Sequence, residues 1–196
     1  MDDTPKLSAH QFPQVYQDLG YDLSKLGCIM LPIVQDDDLM ASVTGTISDD
    51  DLYVASDPLA HPWVNGIVLD KAHVTLLFGL LRTGPEMKKH VDAVLDGNLP
   101  NEIAIDHIDY FDSPLEDEPY YCLIAHVKVS DELQGAHDRL TFLPHIDTFP
   151  GYKPHMTLAY IKKSDEARDQ YIQQLNSKLR GMILTTDSAL NYGGNK

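Results

Sequence analysis

Two short stretches of this chain carry the same chemistry: Lys71-Ala72-His73-Val74-Thr75-Leu76 and Lys153-Pro154-His155-Met156-Thr157-Leu158. In each, an imidazole and a hydroxyl stand two residues apart. Successive side chains of a β-strand alternate between its faces, so His73 and Thr75 share one face, as do His155 and Thr157. Two imidazoles on one site let one group take a proton while the other gives one. Two hydroxyls can bind the non-bridging oxygens of a phosphate. A single His-x-Thr says little, because a lone strand histidine is more often just hydrogen-bonded in place. Here the context repeats too, with Lys two residues before each His and Leu directly after each Thr.

The elements around the two stretches also repeat. In the first half, Cys28-Ile29-Met30-Leu31-Pro32-Ile33-Val34 reads as a strand that lies at an edge or ends near Pro32. The strand bearing His73 runs from about Ala72 to Leu80. Thr83-Gly84-Pro85-Glu86 then opens a helix with Met87, Val91, Val94 and Leu95 at helical spacing, and Gly97 stops it. Glu102 to Tyr110 alternates as a strand.

In the second half, Tyr121 to Val129 is a strand, and Ser130 caps a helix reaching about Phe142. The strand bearing His155 runs to about Ile161. A helix capped at Ser164 or Asp165 carries Ala167, Tyr171, Ile172, Leu175 and Leu179. Gly181 ends it, and a last strand starts at Met182 and extends as far as Tyr192. Gly193-Gly194 reads as flexible tail. The pattern predicts one domain over 1–196. It is an α+β bilobal fold, with lobe halves of about 27–112 and 120–192 related by a pseudo-two-fold axis. The two His-x-Thr strands would face each other across a central cleft.

Two motifs of this kind, His73-Val74-Thr75 and His155-Met156-Thr157, on strands of two similar halves, resemble the 2H phosphoesterases. The resemblance runs from about Gly27 to Tyr192. That superfamily includes RNA 2′,3′-cyclic phosphodiesterases, 2′-5′ RNA ligase-like enzymes and phage enzymes that degrade cyclic nucleotide defence signals. The run Leu26-Gly27-Cys28-Ile29-Met30-Leu31, ahead of a His-Val-Thr-Leu-Leu strand, looks most like the phage anti-CBASS nucleases. The resemblance implies His73, Thr75, His155 and Thr157 as catalytic residues. It implies a phosphodiesterase that cuts 3′-5′ bonds of cyclic di- or trinucleotides by attack of the ribose 2′-OH. Two rival readings are an enzyme acting on RNA ends and a protein that sequesters a cyclic nucleotide without cutting it. The chain departs from a compact 2H unit by a long acidic connection between Val34 and Lys71, with Asp36-Asp37-Asp38 and Asp49-Asp50-Asp51 read as solvated loops.

Composition narrows the partner. With 30 acids against 15 bases the net charge is −15. Long nucleic acid is bound largely through phosphate neutralisation, and no basic stripe supplies it here. Lys71 and Lys153 flank the two histidines, which suits a small anionic ligand such as a cyclic oligonucleotide. Trp63, Tyr152, Tyr160 and Tyr192 are candidate base-stacking residues, Trp63 and Tyr152 being the better placed in loop-like segments. Cys28 and Cys122 fall in matching apolar strands and read as core thiols rather than a disulfide.

The histidines His61, His107, His126 and His145 are scattered and read as structural. No His-x-x-x-His or Cys-x-x-Cys spacing occurs. The one suggestive cluster, Asp106-His107-Ile108-Asp109, puts its two acids on opposite faces of a strand. No metal ligand and no cofactor are therefore assigned. No apolar run is long enough for a membrane span, and the acidic N-terminal stretch is unlike a signal or transit peptide, so the cytoplasm is the expected compartment.

Overall fold

The computed structural model describes residues 26–115, 117–147 and 151–194. The N-terminal stretch read above as neither signal nor transit peptide lies outside them. The described chain contains seven strands and four α-helices. They are β1 (Gly27–Pro32), α1 (Asp37–Thr44), β2 (His73–Leu80), α2 (Gly84–Leu95), β3 (Glu102–Asp112), β4 (Tyr120–Val127), α3 (Asp131–Leu140), β5 (His155–Lys162), α4 (Asp165–Leu179), β6 (Ile183–Thr185) and β7 (Asn191–Gly194). None of these helices is long and apolar enough to cross a membrane.

The helices start where the sequence offers acceptors for their first free N–H groups. Ser130 Oγ accepts from Leu133 N and Ser164 Oγ from Ala167 N. Thr83 and Glu86 form a capping box at α2, with Pro85 in its first turn. The Asp36-Asp37-Asp38 triplet, expected to be solvated loop, instead starts a helix. Asp36 Oδ1 accepts from Leu39 N, and Asp37 and Asp38 occupy the positive end of the helix dipole. Asp49–Asp51 likewise forms a 3₁₀ turn capped by Ser48.

The strands form two antiparallel sheets, ordered β2-β1-β7 and β5-β4-β3-β6. This is the expected bilobal arrangement, but the sheets do not follow the halves of the chain. β3 falls in the first expected lobe half, 27–112, yet pairs with β4 and β6. β7 returns from the second half to pair with β1. The expected single last strand is thus broken after Thr185, and Gly193-Gly194 is paired to Cys28 and Gly27 rather than free tail. β1 is the central strand of its sheet, and Pro32 is its final residue.

Both His-x-Thr strands, β2 and β5, are edge strands of their sheets, and their Cα atoms approach within 8 Å of each other. Their outer edges are not bare. Val68 N bonds to Leu158 O and Tyr160 N to Gly66 O, so the segment entering β2 lies along β5. Reciprocally, Ile146 N bonds to Gly79 O and Leu81 N to Pro144 O, so the segment before β5 lies along β2. Gly79 makes room for this. Its φ is 110°, and a Cβ there would sit 2.2 Å from the Ile146 carbonyl oxygen.

One core lies behind both motifs. Val74 and Leu76 of β2, and Met156 and Leu158 of β5, are fully buried among residues of both sheets and of α2, α3 and α4. Burying each such side chain is worth about 1.5–3 kcal/mol. That holds the opposite, polar face of each strand in a fixed position.

Candidate active site

The register places the four expected catalytic side chains on the partly exposed faces of their strands. On the first sheet, Thr75 pairs with Met30 and His73 with Pro32. On the second, Thr157 pairs with Ile124 and His155 with His126. All four are partly exposed, while the residues between them are buried.

The two histidines are held identically. His73 Nδ1 lies 2.8 Å from the Lys71 carbonyl oxygen, and His155 Nδ1 lies 3.0 Å from that of Lys153. A carbonyl can only accept, so each Nδ1 carries the proton and donates it. Each Nε2 is then left for substrate, as acceptor when the ring is neutral and as donor when it is charged. The lysines thus contribute their main-chain oxygens to the site, and both their side chains are exposed beside it.

The two threonines also have matching surroundings. Cys28 lies beside Thr75, and the Cys122 thiol donates weakly to Thr157 Oγ1 at 3.9 Å. Burial pushes both thiols up to about 11, the threonine contacts offsetting this only in part. Both cysteines are free, as expected, and both stay protonated at neutral pH. They are therefore not thiolate nucleophiles.

The four expected stacking residues go to different places. Trp63 is about half exposed, edge-on to His61 at 5.3 Å, in the segment that flanks β5. Tyr152 is engaged within the protein: its ring stacks on His137 at 4.0 Å and its hydroxyl donates to Thr75 O at 3.2 Å. Tyr160 is on the cleft face of β5 but buried, edge-on to Tyr120 beneath the 52–68 segment. Tyr192 pairs with Ile29, on the face of its sheet away from Thr75, and donates to Asp92 of α2 at 3.1 Å. The acidic connection is thus neither free loop nor simple ornament: its second part covers the Tyr120, Cys122 and Tyr160 end of the cleft face.

Sequence reasoning missed two neighbours of His155 and a third residue behind one of them. Phe111 is partly exposed and edge-on to the His155 ring at 5.0 Å. His126, paired across β4 and β5, has its ring centroid 6.3 Å from that of His155. His107 stacks on His126 at 4.5 Å. Burial, and then the neighbouring His107 and His155, hold the His126 imidazole below the ordinary histidine range. His107 and His126 are therefore not scattered in space, as the sequence suggested, but adjacent. Separation along the chain hid a pairing that only the β3–β4 register reveals. The usable signal was His107-x-Asp109, which alternation puts on one strand face.

A two-lobed fold with a His-x-Thr pair on each of two adjacent edge strands is that of the 2H phosphoesterases. The chain belongs to this group: the model of the 2′-5′ RNA ligase superfamily matches residues 66–187, which include both motifs. The fold is similar to that of Usb1 from Kluyveromyces marxianus, at 9% identity, 88% of this chain, 95% of that one and a TM-score of 0.53. The Kluyveromyces marxianus Usb1 structure with uridine monophosphate aligns at 9% identity over 89% of this chain and 96% of that one, with a TM-score of 0.48. At such identity the likeness concerns the fold alone. A search of curated protein sequences gives no match.

Proposed function

We propose that this protein is a metal-independent phosphodiesterase that opens the 3′-5′ bonds of cyclic di- or trinucleotides. The observation that supports the reading is the matched anchoring of His73 and His155, which leaves each Nε2 free beside a threonine hydroxyl on two adjacent edge strands. One neutral imidazole takes the ribose 2′-OH proton, and the 2′-oxygen attacks its own phosphorus. The bond to the 5′-oxygen breaks, and the other ring, as imidazolium, protonates that oxygen. Thr75 and Thr157 donate to the non-bridging oxygens as charge builds there. The product is linear and ends in a 2′,3′-cyclic phosphate. With the roles exchanged, water opens that ring to a terminal phosphate.

The net charge of −15 and the exposed lysines beside each motif support a small anion over a long one. The resemblance to phage enzymes gives such an activity a place in counter-defence against CBASS. The superfamily match favours a second reading, an RNA 2′,3′-cyclic phosphodiesterase or 2′-5′ ligase-like enzyme. Incubation with a panel of cyclic oligonucleotides and of RNAs with 2′,3′-cyclic ends, followed by chromatography, decides. Linear products from the cyclic panel support the first reading. Processing confined to RNA ends supports the second, and recovery of intact bound ligand indicates a sequestering protein.

A further inference from the structure

Beside His155, and outside the four catalytic side chains, His107, Asp109 and His126 project from neighbouring strands onto the same sheet face. Their candidate ligand atoms all lie within 4.8 Å of one another. A tetrahedral zinc set with bonds of about 2.0–2.1 Å holds its ligands roughly 3.3 Å apart, so a small inward movement closes it. The side chains have that freedom, being 44% exposed at His107, 50% at Asp109 and 19% at His126.

We propose that His107, Asp109 and His126 form a binding site for one Zn²⁺ ion on the cleft wall next to His155. Three independent features support this. First, His107 and His126 are paired across β3 and β4, and His126 Nε2 lies 4.0 Å from Asp109 Oδ2. Secondly, His107 already has the outer partner that metal-binding histidines have. Its Nδ1 donates to Asp106 Oδ2 at 2.8 Å, which orients the ring and leaves Nε2 to coordinate. Thirdly, two imidazoles and one carboxylate suit zinc and its transition-metal neighbours, whereas magnesium and calcium take all-oxygen sets.

The β3–β4 register shifts between Ile105 and His107, at Asp106 itself. Three protein ligands leave a fourth position open, on the wall that carries His155 and Thr157. The site does not depend on the catalytic reading: the ion can bind whichever substrate the panel reveals.

The test is calorimetric titration of the EDTA-stripped, dialysed full chain with Zn²⁺, and absorption spectroscopy with Co²⁺ as a visible substitute. The expected result is one ion per chain, with a tetrahedral cobalt spectrum. Asp106→Asn should weaken zinc binding by about 10–100-fold, the usual cost of losing an outer partner. His107→Gln and Asp109→Asn should weaken it further. Both replace partly exposed side chains, and melting temperatures on the same preparations verify folding. His73→Ala should leave zinc binding unchanged. Absence of one-to-one binding overturns the proposal. So does unchanged affinity in folded His107→Gln and Asp109→Asn, or loss of binding in His73→Ala, which would place the ion on the catalytic pair.

Discussion

Tyr152, in the segment entering β5, donates its hydroxyl to the main-chain carbonyl of Thr75 in β2. The lead-in to one His-x-Thr strand is thereby tied to the middle of the other. His137 backs the same contact, stacking on the Tyr152 ring while its Nδ1 donates to Leu76 O at 2.7 Å. Tyr152→Phe leaves a partly buried carbonyl without its partner, at a cost of about 1–3 kcal/mol. The melting temperature should fall by several degrees. The rate should fall without a matching rise in KM, because the contact aligns the lobes rather than the ligand. A raised KM with unchanged kcat would assign Tyr152 to substrate binding instead.

His73→Ala and His155→Ala should each lower the rate by about 10²–10⁴-fold. Because both act in one transition state, the double variant should be far less impaired than the product of the two losses. The wild-type rate should rise and then fall with pH, one ring being needed neutral and the other charged. Folded variants with normal turnover would reduce the repeated motif to a packing feature.

Thr75→Ala and Thr157→Ala should be milder, each removing one hydrogen bond to a phosphoryl oxygen. The cysteines beside them are held protonated up to about 11. Iodoacetamide at pH 8 should therefore neither alkylate Cys28 and Cys122 quickly nor abolish activity. Rapid inactivation that tracks labelling of either thiol would contradict this.

A cyclic deoxyribonucleotide should not be turned over, since it lacks the attacking 2′-OH, and EDTA should leave ribonucleotide cleavage intact. Comparable rates on the deoxy analogue would mean direct attack by water.

Glu118 is buried and gathers the Ser56 hydroxyl, the Tyr53 hydroxyl and the main-chain N–H groups of Ser56 and Asp57. Those donors, Ser56 first, hold its carboxyl down to about 2 from an ordinary 4.5. The folded value is lower than the unfolded one, so the stabilisation is fully present above pH 4.5 and is lost as pH falls towards 2. Melting temperature should drop more steeply across that window in the wild type than in Glu118→Gln, which has no carboxylate to protonate. Parallel curves would remove Glu118 from the acid response.

The shared face of each His-x-Thr pair was legible because it depends on local alternation: His73 and Thr75, or His155 and Thr157, need only their own strand to be aligned. The helix starts at Thr83, Ser130 and Ser164 were equally readable, since a cap bonds N–H groups two or three residues on. The α1 helix was hidden by its shortness, with only Leu39 and Val43 buried. Strand exchange between the sheets, and the cluster of His107, Asp109 and His126, depend on which distant strands pair. No local pattern encodes that choice. Tyr160 and Tyr192 were misplaced for the same reason, their surroundings being set by the 52–68 segment and by α2.

The exchange of β3 and β7 has a consequence for how this molecule can be cut. Residues 183–194 lay one strand on β3 and another on β1, and Val34 N and Asp187 N bond across to Thr185 O and Pro32 O. The segment works as a clasp, fastened on the side of each sheet away from the cleft. Neither half of the gene, expressed alone, would contain a complete lobe. Truncation before Ile183 would spare both His-x-Thr pairs and still unfasten the two sheets that carry them.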